Sequence, residues 1–197
     1  INQDEIYLFH EGTYYHAYEK FGAHSTVEDD SEGVRFTLWA PGALKVGVAG
    51  DFNGWKGDKH LLQKITETGI WTGFIPGLQP GQLYKYEIYT SNSKVFLKAD
   101  PFAFQSELRP HTASIINSIK EYIWSDEDWH NKKTEPYDKP MNIYEVHLGS
   151  WKRKQDGGFM YYREIAHSIT GYALEMGYTH LEILPIMEHP FDGSWGY

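Results

Sequence analysis

The sequence contains no cysteine. Disulfides, thiolate metal sites and cysteine nucleophiles are therefore excluded, which agrees with a reducing cytoplasm. No apolar run approaches the length of a membrane span, and "INQDEIYLFHEGTYY" has neither the basic start nor the apolar stretch of a signal peptide. The first residue is not Met, so upstream residues are expected to be missing. Basic charge is scarce: 18 Lys and Arg stand against 27 Asp and Glu, a net charge of -9. Such a field repels nucleic acid and anionic membranes and favours a neutral or cationic partner.

Several catalytic signatures are missing too. "GVAGDFNG" lacks the spacing and the Lys-Ser/Thr of a phosphate-binding loop. "DGSWG" is no nucleophile elbow, because Asp192 stands where glycine is required two residues before the serine. Ten histidines show no HExxH or comparable ligand spacing, so no metal and no cofactor are expected. Glu188 and His189 are adjacent, but they read as hydrogen-bonding loop residues. Glu188 and Asp192 sit four apart on one loop, whereas catalytic carboxylate pairs flank a cleft from different strands.

Aromatic residues, by contrast, are abundant at 16%, with 15 Tyr, 10 Phe and 7 Trp in 197 residues. Most are expected to fill a β-rich core, but an acidic, aromatic-rich surface also suits the flat C–H faces of sugars. Residues 1–24 read as a short helix and a turn, with Ile6, Leu8 and Phe9 on its apolar side and Gly12 as its stop. From Gly33 the pattern alternates. "VRFTLWA", "LKVGVAG" (through Leu44, Val46 and Val48), "IWTGFIPG" and "LYKYEIYT" are short runs parted by Pro/Gly turns. They predict an immunoglobulin-like antiparallel β-sandwich of the carbohydrate-binding type over residues 25–124. The polar stretch 125–140 reads as a linker. Residues 141–197 change grammar: "MNIYEVHLGS" predicts a strand, 161–176 a helix with Ile165, Ile169 and Leu174 on its face, and "GYTHLEILPI" a second strand. One strand–helix–strand unit cannot cover both faces of its sheet, so this half is expected to be an incomplete α/β domain.

Two stretches are candidates for ligand contact. "GDFNGW" (50–55) ends a strand in a turn suited to positive φ at Asn53-Gly54 and leaves Trp55 just beyond it. "MEHPFDGSWGY" (187–197) follows a strand and carries Trp195 and Tyr197, placed either for ligand contact at the mouth of an α/β barrel or to cap it.

The motifs "AHSTVEDDSEGVRFTLWAP", "VGVAGDFNGW", "YKYEI", "KADPFA", "IYEVHLGSW" and "HLEILPIMEHPFDGSWGY" together resemble the glycogen (1,4-α-glucan) branching enzymes, as does "HEGTYYHAYEKFGAH" near the start. The resemblance covers nearly the whole chain in the family's order. It implies a glucan-binding β-sandwich followed by the first β-α-β of a (β/α)₈ barrel, with strand one at 142–148 and strand two at 180–185. It also implies a transferase, cytoplasmic, acting on α-1,4-glucan or glycogen. An aspartate attacks the α-1,4 linkage, a glutamate serves as acid and then base, and the glycosyl group passes to a C6 hydroxyl. Those carboxylates come from later barrel strands, so the present residues are expected to be inert on their own.

By the same resemblance Tyr197 stacks on the sugar at the cleavage point, and Trp195, Asp192 and His189 form one wall of that subsite. Trp55 is a stacking platform and Lys85 a hydrogen-bonding lysine of the sandwich. Leu97 replaces the second platform tryptophan of glycogen-binding relatives, three residues before Asp100-Pro101. Two alternatives stay open: a stand-alone α-glucan-binding module, and a debranching or hydrolytic relative of the same architecture. The unpaired strands of 141–197 are expected either to promote self-association or to dock on the sandwich.

Overall fold

A computed structural model describes residues 1–108, 110–117, 123–132, 137–187, 189, 191, 193, 194 and 196. The chain divides into two compact units, residues 1–120 and 121–197.

The first unit opens with helix α1 (Gln3–Glu11). Asn2 caps it by accepting from the Glu5 amide, and the Glu5 carboxylate accepts from the Asn2 amide in return. Gly12 ends it in the left-handed region at φ 74°. Of its apolar residues Phe9 does the packing, its ring stacking on Phe21 at 4.2 Å, while Leu8 is exposed.

Eight strands follow: β1 (Gly22–Glu28), β2 (Ser31–Trp39), β3 (Ala43–Gly50), β4 (Gln63–Ile65), β5 (Ile70–Pro76), β6 (Leu83–Thr90), β7 (Val95–Lys98) and β8 (Ser114–Ile115). One antiparallel sheet has the order β1-β2-β5-β4; the other runs β3-β6-β7, with β8 also pairing β6. Their inner faces share one core. Val34, Phe36 and Leu38 of β2 meet Val46 and Val48 of β3 and Tyr84 and Tyr86 of β6. The Phe36 and Tyr84 rings meet edge to face at 5.1 Å. This is a β-sandwich.

The sandwich begins earlier than residue 25, because β1 starts at Gly22 and lays Ala23 into the core. The alternation expected through Leu44 also fails. The register of β3 against β6 slips between Ala43 and Lys45, so Leu44 is bulged out and 68% exposed while Ala43 is buried in its place.

Among the described residues the core holds one buried carboxylate. Asp100 accepts from the Tyr84 hydroxyl at 2.7 Å, the Tyr86 hydroxyl at 3.1 Å and the Phe102 amide at 2.8 Å. Burial raises its pKa, and burial beside this carboxylate pushes both tyrosines well up.

In the second unit the polar stretch read as a linker contains a short helix, α2 (Glu127–Asn131). Strand β9 (Ile143–Val146) is shorter than the expected 142–148, because His147 opens helix α3 (Leu148–Trp151). Helix α4 (Tyr162–Met176) leads to β10 (His180–Ile183), which ends before the expected Pro185 and pairs with β9 in parallel. The buried face of α4 is Ile165, Ile169 and Ala173, and the two isoleucines pack with Val146. Leu174, expected on that face, is 80% exposed. Five residues after Ile169 it has turned about 140° from the seam, whereas Ala173 at four residues stays within about 40°.

Candidate functional site

The turn after β3 is built around one side chain. Asn53 is buried, and its Oδ1 accepts from the Gly50 amide at 3.0 Å and the Lys56 amide at 3.1 Å. Its Nδ2 donates to the Val48 carbonyl at 2.8 Å and to His60 Nδ1 at 2.9 Å. An amide nitrogen only donates, so His60 Nδ1 accepts and the imidazole is neutral there. Burial, reinforced by Lys59, lowers its pKa in the same direction. The backbone then takes two successive left-handed residues, Gly54 at φ 68° and Trp55 at φ 61°. Trp55 is held in that conformation by its amide, which donates to the Gly50 carbonyl at 2.9 Å, and by its indole N–H, which donates to Asp51 Oδ1 at 2.9 Å. Both groups that anchor the indole are local, so its half-exposed ring is preorganised rather than buried in the core.

The rest of the turn folds back over the outer face of β3 and β6. A side chain at Gly47 would meet the Gly57 carbonyl oxygen at 2.2 Å, and one at Gly57 would meet Glu87 Cβ at 2.7 Å. The two glycines permit that close approach.

Lys85 faces outward because its neighbours Tyr84 and Tyr86 face the core. It lies opposite Ala49, next to the Gly50 that holds Trp55, so both predicted residues belong to one rim of the second sheet. Its ammonium donates to Thr112 Oγ1 at 2.7 Å, a partner the sequence did not disclose. Leu97 stands opposite Glu87 on the same outer face and is 48% exposed. Beyond it the Tyr89 hydroxyl donates to Glu87, with Lys45 Nζ 3.8 Å from the ring centroid. That carboxylate contact pushes the Tyr89 pKa up to about 12.

Of the terminal loop, Asp192, Trp195 and Tyr197 lie outside the described residues, as does Glu188. His189 is described: its Nδ1 donates to the Met187 carbonyl at 2.9 Å, and a side chain at Gly196 would meet that nitrogen at 3.2 Å. Among the described residues no three His, Asp or Glu gather in a way that could hold a metal. No helix there is long and apolar enough to cross a membrane.

Residues 20–103 match carbohydrate-binding module 48, the isoamylase N-terminal domain. All of the chain is 53% identical, over 199 aligned positions, to 32% of the 1,4-α-glucan branching enzyme GlgB of Desulfitobacterium hafniense. The match to the same enzyme of Geobacillus stearothermophilus is also 53%, over 98% of the chain and 30% of the relative. The chain is thus similar, along its length, to part of the 1,4-α-glucan branching enzymes. It spans about a third of the length of these curated relatives, within their N-terminal region. Among solved structures, a putative α-amylase from Salmonella typhimurium superimposes with a TM-score of 0.62. That likeness is 24% in identity and covers 90% of this chain and 26% of the other, so it speaks for the fold. The turn built on Asn53 and the outward Lys85 both fall within the matched module.

Proposed function

We propose that this chain is the N-terminal part of a cytoplasmic 1,4-α-glucan branching enzyme of the α-amylase family. The whole protein cleaves α-1,4-glucan chains and transfers them to C6 hydroxyls, making the α-1,6 branches of glycogen. The observation that carries this reading is the identity of 53% that runs the full length of the chain, through both units, rather than stopping at the sandwich. A stand-alone binding module has no need of the parallel β9–α4–β10 unit.

In this reading the sandwich holds glucan, with the Trp55 ring as its plate and Lys85 as a hydroxyl donor. The parallel pair β9 and β10 with α4 is the start of the (β/α)₈ barrel. Tyr197, Trp195, Asp192 and His189 form one wall of the cleavage subsite. The nucleophile and the acid/base lie on barrel strands outside these residues. The division of labour is physical: a weak surface site raises the local concentration of a long polymer near the cleft, and the barrel supplies the chemistry.

The test is a branching assay on the full-length gene product. Amylose incubated with it loses its blue iodine stain while α-1,6 linkages appear by NMR and reducing ends do not accumulate. Accumulation of reducing ends without new branches would replace this reading with a hydrolytic one.

A further inference from the structure

The outer face of the β1-β2-β5 sheet lies on the opposite side of the sandwich from Trp55, and no role has been given to it. Strand pairing places His24, Thr26 and Glu28 of β1 beside Arg35 and Thr37 of β2, and Arg35 opposite Phe74 of β5. These five residues of β1 and β2, with Glu19 and Lys20, wall a depression of about 300 Å³. The guanidinium of Arg35 is locked to Glu28 through Nε and Nη2, and its Nη1 donates to Thr72 Oγ1 at 3.2 Å. Thr72 in turn bonds to Thr37 at 3.1 Å. Arg35 thus retains two N–H donors and Glu28 retains free lone pairs, all held in one plane. His24 Nε2 donates to the Phe21 carbonyl at 2.9 Å, which fixes the ring at the edge of the depression.

Beside this polar plate lies an aromatic one. A side chain at Gly33 would meet Phe74 Cζ at 2.6 Å and Cε2 at 2.8 Å, so the Phe74 ring rests on the glycine, next to Thr26. A ring covering a strand glycine is also a way to stabilise a sheet, but it uses only one ring face. Phe74 is half-exposed.

We infer that this face is a second glucan-binding surface, with Phe74 stacking on one sugar ring and the Glu28–Arg35 pair bonding its vicinal hydroxyls. Charge selects the ligand class. The carboxylate and guanidinium neutralise one another, so the pair presents no net charge beside Phe74; at the rim Lys20 pairs with Glu5 at 3.4 Å and Glu19 holds His16 at 3.0 Å. A neutral ligand rich in hydroxyls satisfies the spare donors and acceptors without breaking the pair. The inference deepens the glucan-binding reading and rests on it. Two surfaces on opposite faces of one module would let it hold two chains, or two arms of one branched chain.

The test is an amide NMR titration of the 197-residue chain with maltoheptaose, with cellohexaose as control. Saturable shifts are expected at Thr26, Gly33 and Arg35 as well as in the turn 50–56. Phe74→Ala should weaken the first set about tenfold and leave the second unchanged. Phe74→Leu, which still covers Gly33 but has no flat face, should do the same if the alanine variant misfolds. Arg35→Gln should likewise weaken the first set alone. Shifts confined to the turn 50–56, or a first set that survives Phe74→Leu, would overturn the inference and leave the primary site standing. Shifts on this face that follow protein concentration rather than sugar would assign it to a second copy of the chain. No saturable shift anywhere would overturn both readings.

Discussion

Removing one side chain should loosen the whole Trp55 turn. Asn53→Ala deletes four polar contacts: two accepted from Gly50 and Lys56, and two donated to Val48 and His60. The Lys56 amide and the His60 ring are near solvent and can recover water, at a net cost of a few tenths of a kcal/mol each. The Gly50 amide and the Val48 carbonyl are buried, and each is left unsatisfied at roughly 1–3 kcal/mol. About 3 kcal/mol in total is expected, or roughly a hundredfold. Hydrogen exchange reads it directly. The amides of Gly50, Trp55 and Lys56 should exchange about a hundred times faster than in the wild type, and maltoheptaose should bind more weakly because the indole loses its fixed orientation. Asp51→Ala is the contrast. It removes one exposed bond to the Trp55 indole and should change the same exchange rates less than about fivefold. Asn53→Ala rates within fivefold of wild type would refute the claim that Asn53 organises the site.

Asp100→Asn should flatten the pH dependence of the first unit. A carboxyl raised in the fold contributes stability fully present below its unfolded value, near 3.8, and lost as pH rises through its folded value. Thermal melts at pH 4 and pH 7 should therefore show a smaller loss on going to pH 7 in the variant than in the wild type, and an identical loss would refute it. Gly47→Ala places a methyl about 2.2 Å from the Gly57 carbonyl, so the turn must lift. A loss of stability of about 1–3 kcal/mol, read as a lowered urea midpoint, is expected, and an unchanged midpoint would show that the turn yields freely. Leu97→Trp puts an aromatic plate back on the outer face beside Glu87. Calorimetry should find maltoheptaose bound about tenfold more tightly, whereas unchanged affinity would mean that this position does not reach the ligand.

Much of the fold was legible where period and punctuation agree. The alternating runs of β2, β5 and β6 announce themselves, as does the turn at Asn53-Gly54, because a two-residue period and a glycine that accepts positive φ are local properties. Leu44 was misread because a bulge depends on how β3 pairs with β6, and a partner's register is invisible in one strand's pattern. Leu174 was misread because, five residues after Ile169, it lies about 140° round the helix, and Ala173 at four residues takes the buried place instead.

The sequence alone settled that the protein has no disulfide, that its surface is acidic, that a turn follows β3 with an aromatic behind it, and that Lys85 alternates with two tyrosines. Those follow from composition and from the short-range sterics of the backbone. Tertiary structure decided the rest. It turned Asn53 into the hub that aims Trp55, gave Lys85 its Thr112 partner 27 residues away, and buried Asp100 under two tyrosine hydroxyls. It also joined Glu28 and Arg35 across a hairpin and laid Phe74 on Gly33 from a third strand. The physical reason is the same in each case. Hydrogen bonds and ring contacts act over a few ångströms, and which residues come that close is set by strand pairing across the sheet, which no local pattern records.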